Sequence, residues 1–137
     1  MTSVSTFVKG SLELIQVINP SQPVKAADMA TGIAVLNQMM QRNEANGLAL
    51  GWQPVSSPED VMPIPDEAEM PLQYQLAVSL CPRYGVEPMA MVVGVGSSLM
   101  NDLLRDQMVA TPIQPILDAP SPDWRGATRF RSTAWDY

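Results

Sequence analysis

AADMATGIAVLNQMMQRNEANG, residues 26–47, repeats Met29, Ile33, Leu36 and Met40 at i, i+4, i+7 and i+11. Apolar residues at that interval share one stripe of a 3.6-residue helix. Asp28, Gln38, Gln41 and Glu44 take the other face. The pattern closes at Asn46-Gly47, where a glycine can adopt the left-handed conformation that ends a helix. The spacing predicts a helix over Ala26–Asn46 that must bury one side against elements of similar kind.

On the N-terminal side, Val4, Val8, Leu12 and Ile15 fall at helical spacing, and Phe7, Leu14 and Ile18 widen the stripe. A helix over Thr2–Ile18 is expected, capped by Ser3 or Ser5. Gly10 weakens it by roughly 1 kcal/mol relative to Ala, which leaves a break there open. Asn19–Pro23, NPSQP, is a turn by composition.

On the C-terminal side, Leu48–Met70 contains four prolines and few periodic apolar positions. A connection that long needs a job. It is expected to project from the body and meet a partner through Trp52, Val55, Val61, Met62 and Ile64, with a short strand or hairpin around Leu48–Val55. A third helix is expected over Asp66–Tyr84, with Leu72, Leu76 and Leu80 on one face beside Ala77 and Tyr84. Asp66, Glu67 and Glu69 complement the dipole of its first turns. Pro71 is best accommodated in a first turn, which would move the start toward Glu69 or Met70. Pro82 and Gly85 stop it. The fourth helix runs from Pro88, a good first helical residue, to about Val109. Its stripe is Met89, Val92, Val93, Gly96, Leu99, Met100, Leu103 and Leu104. The fold class is therefore all-α: a small four-helix bundle over residues 1–110 with a long loop between helices 2 and 3, followed by an extended C-terminal arm over residues 111–137.

Composition narrows the functional classes. At 137 residues one folded domain is natural. Ten methionines and few aromatics give an aliphatic, plastic core. A net charge of −6 disfavours free nucleic-acid binding, which needs clustered Lys and Arg. Cys81 stands alone, so no internal disulfide forms, and a reducing compartment is the natural one. No apolar run is long enough to cross a bilayer. MTSVSTFVKG at the start lacks the basic and apolar stretches of a signal peptide. The absence of histidine removes the commonest general base and metal ligand together.

Candidate chemistry is thin. Gly94–Leu103, GVGSSLMNDL, follows no strand and has no lysine at phosphate-loop spacing, so its small residues serve close helix packing. Glu59, Asp60, Asp66, Glu67 and Glu69 include possible acid/base pairs, but solvent and helix-dipole roles account for them as well. Cys81, Ser97 and Ser98 have no histidine to activate them. No catalytic residue, metal site or cofactor is assigned.

The arm is different. Trp124, Phe130, Trp135 and Tyr137 interleave with Arg125, Arg129 and Arg131, the residue types enriched at interface hot spots. Folding back onto the chain's own helices is the open alternative; Pro-rich chain extends about 3.1 Å per residue, which favours an arm that reaches outward. Residues 1–110 carry eleven acids and five bases, and residues 111–137 carry three of each. A neutral arm can dock on an acidic surface, including that of a sister copy, without like-charge repulsion.

Taken in order, these pieces resemble the head-to-tail adaptor family of short-tailed bacteriophages. The similar stretches are the N-terminal helix, Val35–Gly51 (VLNQMMQRNEANGLALG), Pro71–Pro88 (PLQYQLAVSLCPRYGVEP), the long following helix and the proline-rich arm. Met39, Met40 and Gly47 match the family's pattern, while Asn43 stands where tryptophan is common. Leu76, Ala77, Leu80, Pro82, Tyr84 and Gly85 match a second pattern. The resemblance implies a connector-type helical bundle and a ring of twelve copies beneath the portal protein. It implies an arm that fastens to the portal and a far end that receives the tail nozzle. Packaged DNA would pass through the lumen without specific binding, inside a virion assembled in the bacterial cytoplasm. Two other classes stay open: a small cell-wall hydrolase using the acids near Glu67, and a monomeric helical regulator.

Overall fold

The computed structural model describes residues 1–110, the last two by backbone only. Four helices follow in order: α1 (Val4–Leu14), α2 (Ala26–Ala45), α3 (Asp66–Tyr84) and α4 (Ala90–Ala110). No strand occurs among the described residues, where a lone bridge joins Ser3 to Val61. The fold is an all-α four-helix bundle.

α3 is its centre, packing against α1, α2 and α4. α1 buries Val4, Phe7, Val8, Ser11 and Leu12, a complete i, i+3, i+4, i+7, i+8 face. Ser11 Oγ lies 3.1 Å from Phe7 O and 3.2 Å from Gln73 O, which satisfies the one polar group on that face and stitches α1 to α3. Gly10 does not break the helix. A Cβ there would collide with the Gln73 side chain, whose amide donates to Phe7 O at 3.4 Å. Gly32 plays a similar part between α1 and α2, where a Cβ would strike Val8.

The helix ends follow local chemistry. Ser3 caps α1, its Oγ accepting from Thr6 N at 3.3 Å. α1 is shorter than its apolar stripe predicts because Gln16 turns left-handed at φ +59°. Gln16 N then donates to Glu13 O at 3.0 Å and Val17 N to Leu12 O at 3.2 Å, the paired bonds of a Schellman stop. α2 ends the same way. Gly47 has φ +98°, Gly47 N reaches Glu44 O at 3.1 Å, and Leu48 N reaches Asn43 O at 2.9 Å. Leu48 tucks into the core directly afterwards.

α3 departs from expectation at both prolines. It begins at Asp66, with Pro71 in its second turn. Pro71 has no N–H to offer the carbonyl of Glu67, four residues back, and Glu67 is an exposed residue. Pro82 lies within the helix instead of ending it; the stop is Gly85, left-handed at φ +63°.

The connection between α2 and α3 is the largest correction. It neither projects nor forms a hairpin. Trp52, Val55 and Met62 belong to the buried core, and Ile64 packs partly against it. Asn37 of α2 clamps the Val55 backbone from both sides, donating to Val55 O at 2.8 Å and accepting from Val55 N at 3.1 Å. The chain then crosses the start of α1, where Asp60 O accepts from Val4 N and Pro58 O from Ser5 N, both at 2.9 Å. The first N–H groups of a helix have no partner within it, so the loop supplies what α1 lacks. The core that results draws on residues from Val4 to Leu103.

Candidate interaction surface

Trp124, Arg125, Arg129, Phe130, Arg131, Trp135 and Tyr137 of the expected arm lie outside the described residues. Of the expected loop contacts, Trp52, Val55 and Met62 are committed to the protein's own core and Ile64 is partly so. Val61 alone is well exposed, at 54 %. The physical reason is that Trp52, Val55 and Met62 found places in the bundle once the clamp and the helix-capping bonds fixed the loop's path. Trp52 is 6 % exposed, and its indole N–H has no hydrogen-bond partner among the described residues.

The surface left open is on α4. This helix packs almost wholly on α3. Its stripe is too wide for one neighbour to cover. Val92 and Leu103 are buried, and Met100 is partly covered. Met89, Val93 and Leu104, expected on the buried stripe, are exposed. Met91 and Met108 are also exposed, at 75 % and 74 %. Methionine is favoured where a surface must adapt to a partner, because its unbranched side chain repacks easily. Among the small residues, Gly96 does serve close packing: a Cβ there would sit 3.2 Å from Tyr74 Cβ.

Two grooves flank α3. One, of about 280 Å³, lies between α3 and α4 and is mainly apolar, lined by Tyr74, Val78, Val93, Gly96 and Met100 among others. The second, of about 510 Å³, lies between α2 and α3. Its floor is the Asn43–Gln75 pair, which exchanges hydrogen bonds of 2.8 and 3.2 Å. Arg42, Asn46, Gln38, Ser79 and Arg83 stand around it, and no acidic residue lines it.

Reactive groups are few. Cys81 is buried, its Sγ donating to Ala77 O at 3.3 Å, and burial pushes the thiol pKa up. It packs as a small hydrophobe. Desolvation, then the hydrogen bond to Asp28 and that carboxylate's charge, push the Tyr84 phenol up to about 12. Its hydroxyl donates to Asp28 Oδ1 at 3.1 Å and ties the end of α3 to the start of α2. The acidic residues near Glu67 are spoken for in part. Asp60 accepts from Ser57 N at 3.0 Å, Glu69 accepts from Thr2 Oγ1 at 2.7 Å, and Asp66 lies 3.8 Å from the terminal amine. No group of three or more candidate ligands for a metal ion is found among the described residues. No helix among them is long and apolar enough to cross a membrane.

No family model and no curated protein matches this chain. Its surfaces therefore carry the functional argument.

The sequence reading missed the Arg42–Arg83 groove, since the two arginines are far apart in the chain and meet only when α2 packs on α3. It missed the openness of α4 for another reason. The eight stripe residues were visible, but their spread over more than one face was the sign that one neighbour could not bury them.

Proposed function

We propose that this protein is a structural virion component, a head-to-tail adaptor of the short-tailed phage type. Twelve copies form a ring beneath the portal protein, extend the DNA channel, help to retain packaged DNA and present the attachment site for the tail nozzle. The proposed location is the head–tail junction, with synthesis in the host cytoplasm.

The observation that carries this reading is the apolar surface left uncovered along α4, where Met91, Leu104 and Met108, on more than one side of the helix, are exposed among the described residues. A lone subunit gains nothing from that exposure, whereas a subunit of an assembly covers it. The aromatic arm begins where α4 ends. Burying one Trp or Phe contributes roughly 1.5–3 kcal/mol. Repetition around a ring makes such modest contacts act together, because each formed contact raises the effective concentration of the next. The order of motifs, from Val35–Gly51 through Pro71–Pro88 to the arm, supports the same reading. The body's excess of carboxylates suits a channel wall to which DNA phosphates do not adhere.

Deleting residues 111–137 tests the reading. The core lies between Val4 and Leu103, so the truncated body is expected to keep its helical signal and cooperative melting. Attachment to the portal is expected to be lost. A truncated body that still binds the portal with unchanged affinity overturns the arm's role.

A further inference from the structure

The described residues hold five basic side chains. Lys9 reaches Glu13 and the Pro20 carbonyl, Arg105 reaches Asp102, and Lys25 is exposed just before α2. Arg42 and Arg83 have no ion pair or side-chain hydrogen bond among the described residues, and both stand at the same groove. Two unpaired guanidiniums at one concave, acid-free surface are unusual in a chain with a net charge of −6. Planar guanidinium forks match carboxylates in geometry as well as in charge. Amide donors from Gln38 and Asn46 stand beside them.

The complementary surface is on the same molecule, at the other end of α3. Asp60 of the loop and Asp66 and Glu69 of α3 contact the N-terminal segment on either side, through the Val4–Asp60 and Thr2–Glu69 hydrogen bonds and the terminal amine, and Glu59 and Glu67 are their chain neighbours. Glu59 and Glu67 are exposed, and their carboxylates have no partner among the described residues. Val61, paired with Ser3, and Met70, one turn along α3 from Glu67, are exposed and offer apolar contact at this end of the bundle. From Glu67 to Arg83 is about 24 Å along the helix at 1.5 Å per residue. The two surfaces are too far apart to meet within one subunit.

We propose that the Arg42–Arg83 groove is a carboxylate-binding site whose occupant is the acidic edge of a second copy, carrying Glu59 and Glu67. Because the two surfaces differ, the contact is head-to-tail. Such contacts propagate from copy to copy and close into a ring when the rotation allows. This rests on the ring proposed above and names the surfaces that meet in it.

Charge reversal in the full chain tests it. R42E/R83E places carboxylates opposite the acidic edge, and E59K/E67K places ammonium groups opposite the arginine groove. Each variant alone is expected to self-associate at least roughly 100-fold more weakly than wild type, since like charges brought together cost several kcal/mol. An equimolar mixture restores both complementary contacts and is expected to recover assembly, in a form weakened by salt. Sedimentation velocity at low ionic strength reads the masses, and circular dichroism checks that each variant is folded. A wild-type chain that stays monomeric at high concentration overturns the contact. So do variants that assemble like wild type, or a mixture that gains nothing. Variants that assemble normally into rings overturn only this contact and leave the ring reading standing; assemblies with twofold symmetry alone contradict both.

Discussion

Replacing Asn37 by Ala tests how the α2–α3 connection is held. Its side-chain amide is the two-way clamp on Val55, with bonds of 2.8 and 3.1 Å. Removing it deletes two hydrogen bonds, each worth about 1 kcal/mol net, and leaves a part-buried N–H and C=O without partners. The combined loss should be about 1.5–3 kcal/mol. For a domain of this size that lowers Tm by roughly 8–15 °C. The effect should also be felt at a distance. Asp60 O and Pro58 O accept from Val4 N and Ser5 N, respectively, only because the loop lies across α1. Amide exchange at Val4 and Ser5 should therefore accelerate more than exchange in the middle of α3. Urea and thermal melts of Asn37→Ala, with hydrogen exchange by NMR, provide the measurement. Gln38→Ala, exposed on the same helix, is the control and should stay within about 0.5 kcal/mol of wild type. An Asn37→Ala protein as stable as that control, with unchanged exchange at Val4 and Ser5, refutes the clamp.

Three further expectations concern single positions. Trp52→Ala should cost about 3–5 kcal/mol as a core truncation, whereas Trp52→Phe should stay within about 1 kcal/mol because it also removes an unpartnered buried donor; equal losses in urea melts would contradict this. Gln16→Gly should raise stability by roughly 0.5–1 kcal/mol, since glycine is at ease at φ +59° although it loses more chain entropy on folding, and a lower Tm would count against the left-handed stop. The raised Tyr84 pKa means that the folded state holds the phenolic proton more tightly than the unfolded chain. Its contribution is complete below pH 10 and is lost as pH rises through about 12. After allowance for solvent access this amounts to about 1–2 kcal/mol, and the difference between wild type and Tyr84→Phe in urea melts should shift by that amount across the window; a constant difference contradicts it.

Much of the bundle was legible because its signals are local. Met29, Ile33, Leu36 and Met40 declared α2, and Gly47 declared its end, since spacing and a left-handed glycine need no tertiary information. The early stop at Gln16 was not legible, because any residue can be driven left-handed when the following chain must turn back. Pro71 misled because its rule concerns an isolated helix, and here the bond it removes would have gone to the carbonyl of an exposed residue, Glu67. The loop misled most. Four prolines describe a path without regular hydrogen bonds, yet they say nothing about whether Trp52, Val55 and Met62 turn inward. That depended on Asn37, a polar residue on the edge of a helix whose partner is a backbone eighteen residues away. For the same reason the expected partner contacts of the loop were wrong for three side chains, and the arginine groove went unseen.

The most direct test is an image of the assembled particle at its head–tail junction, at a resolution that traces side chains. The adaptor account predicts a twelve-copy ring of helical bodies beneath the portal, with Trp124, Phe130 and Trp135 of each copy seated on another chain. A junction without this protein, or one in which those three aromatic side chains touch only their own subunit, contradicts it.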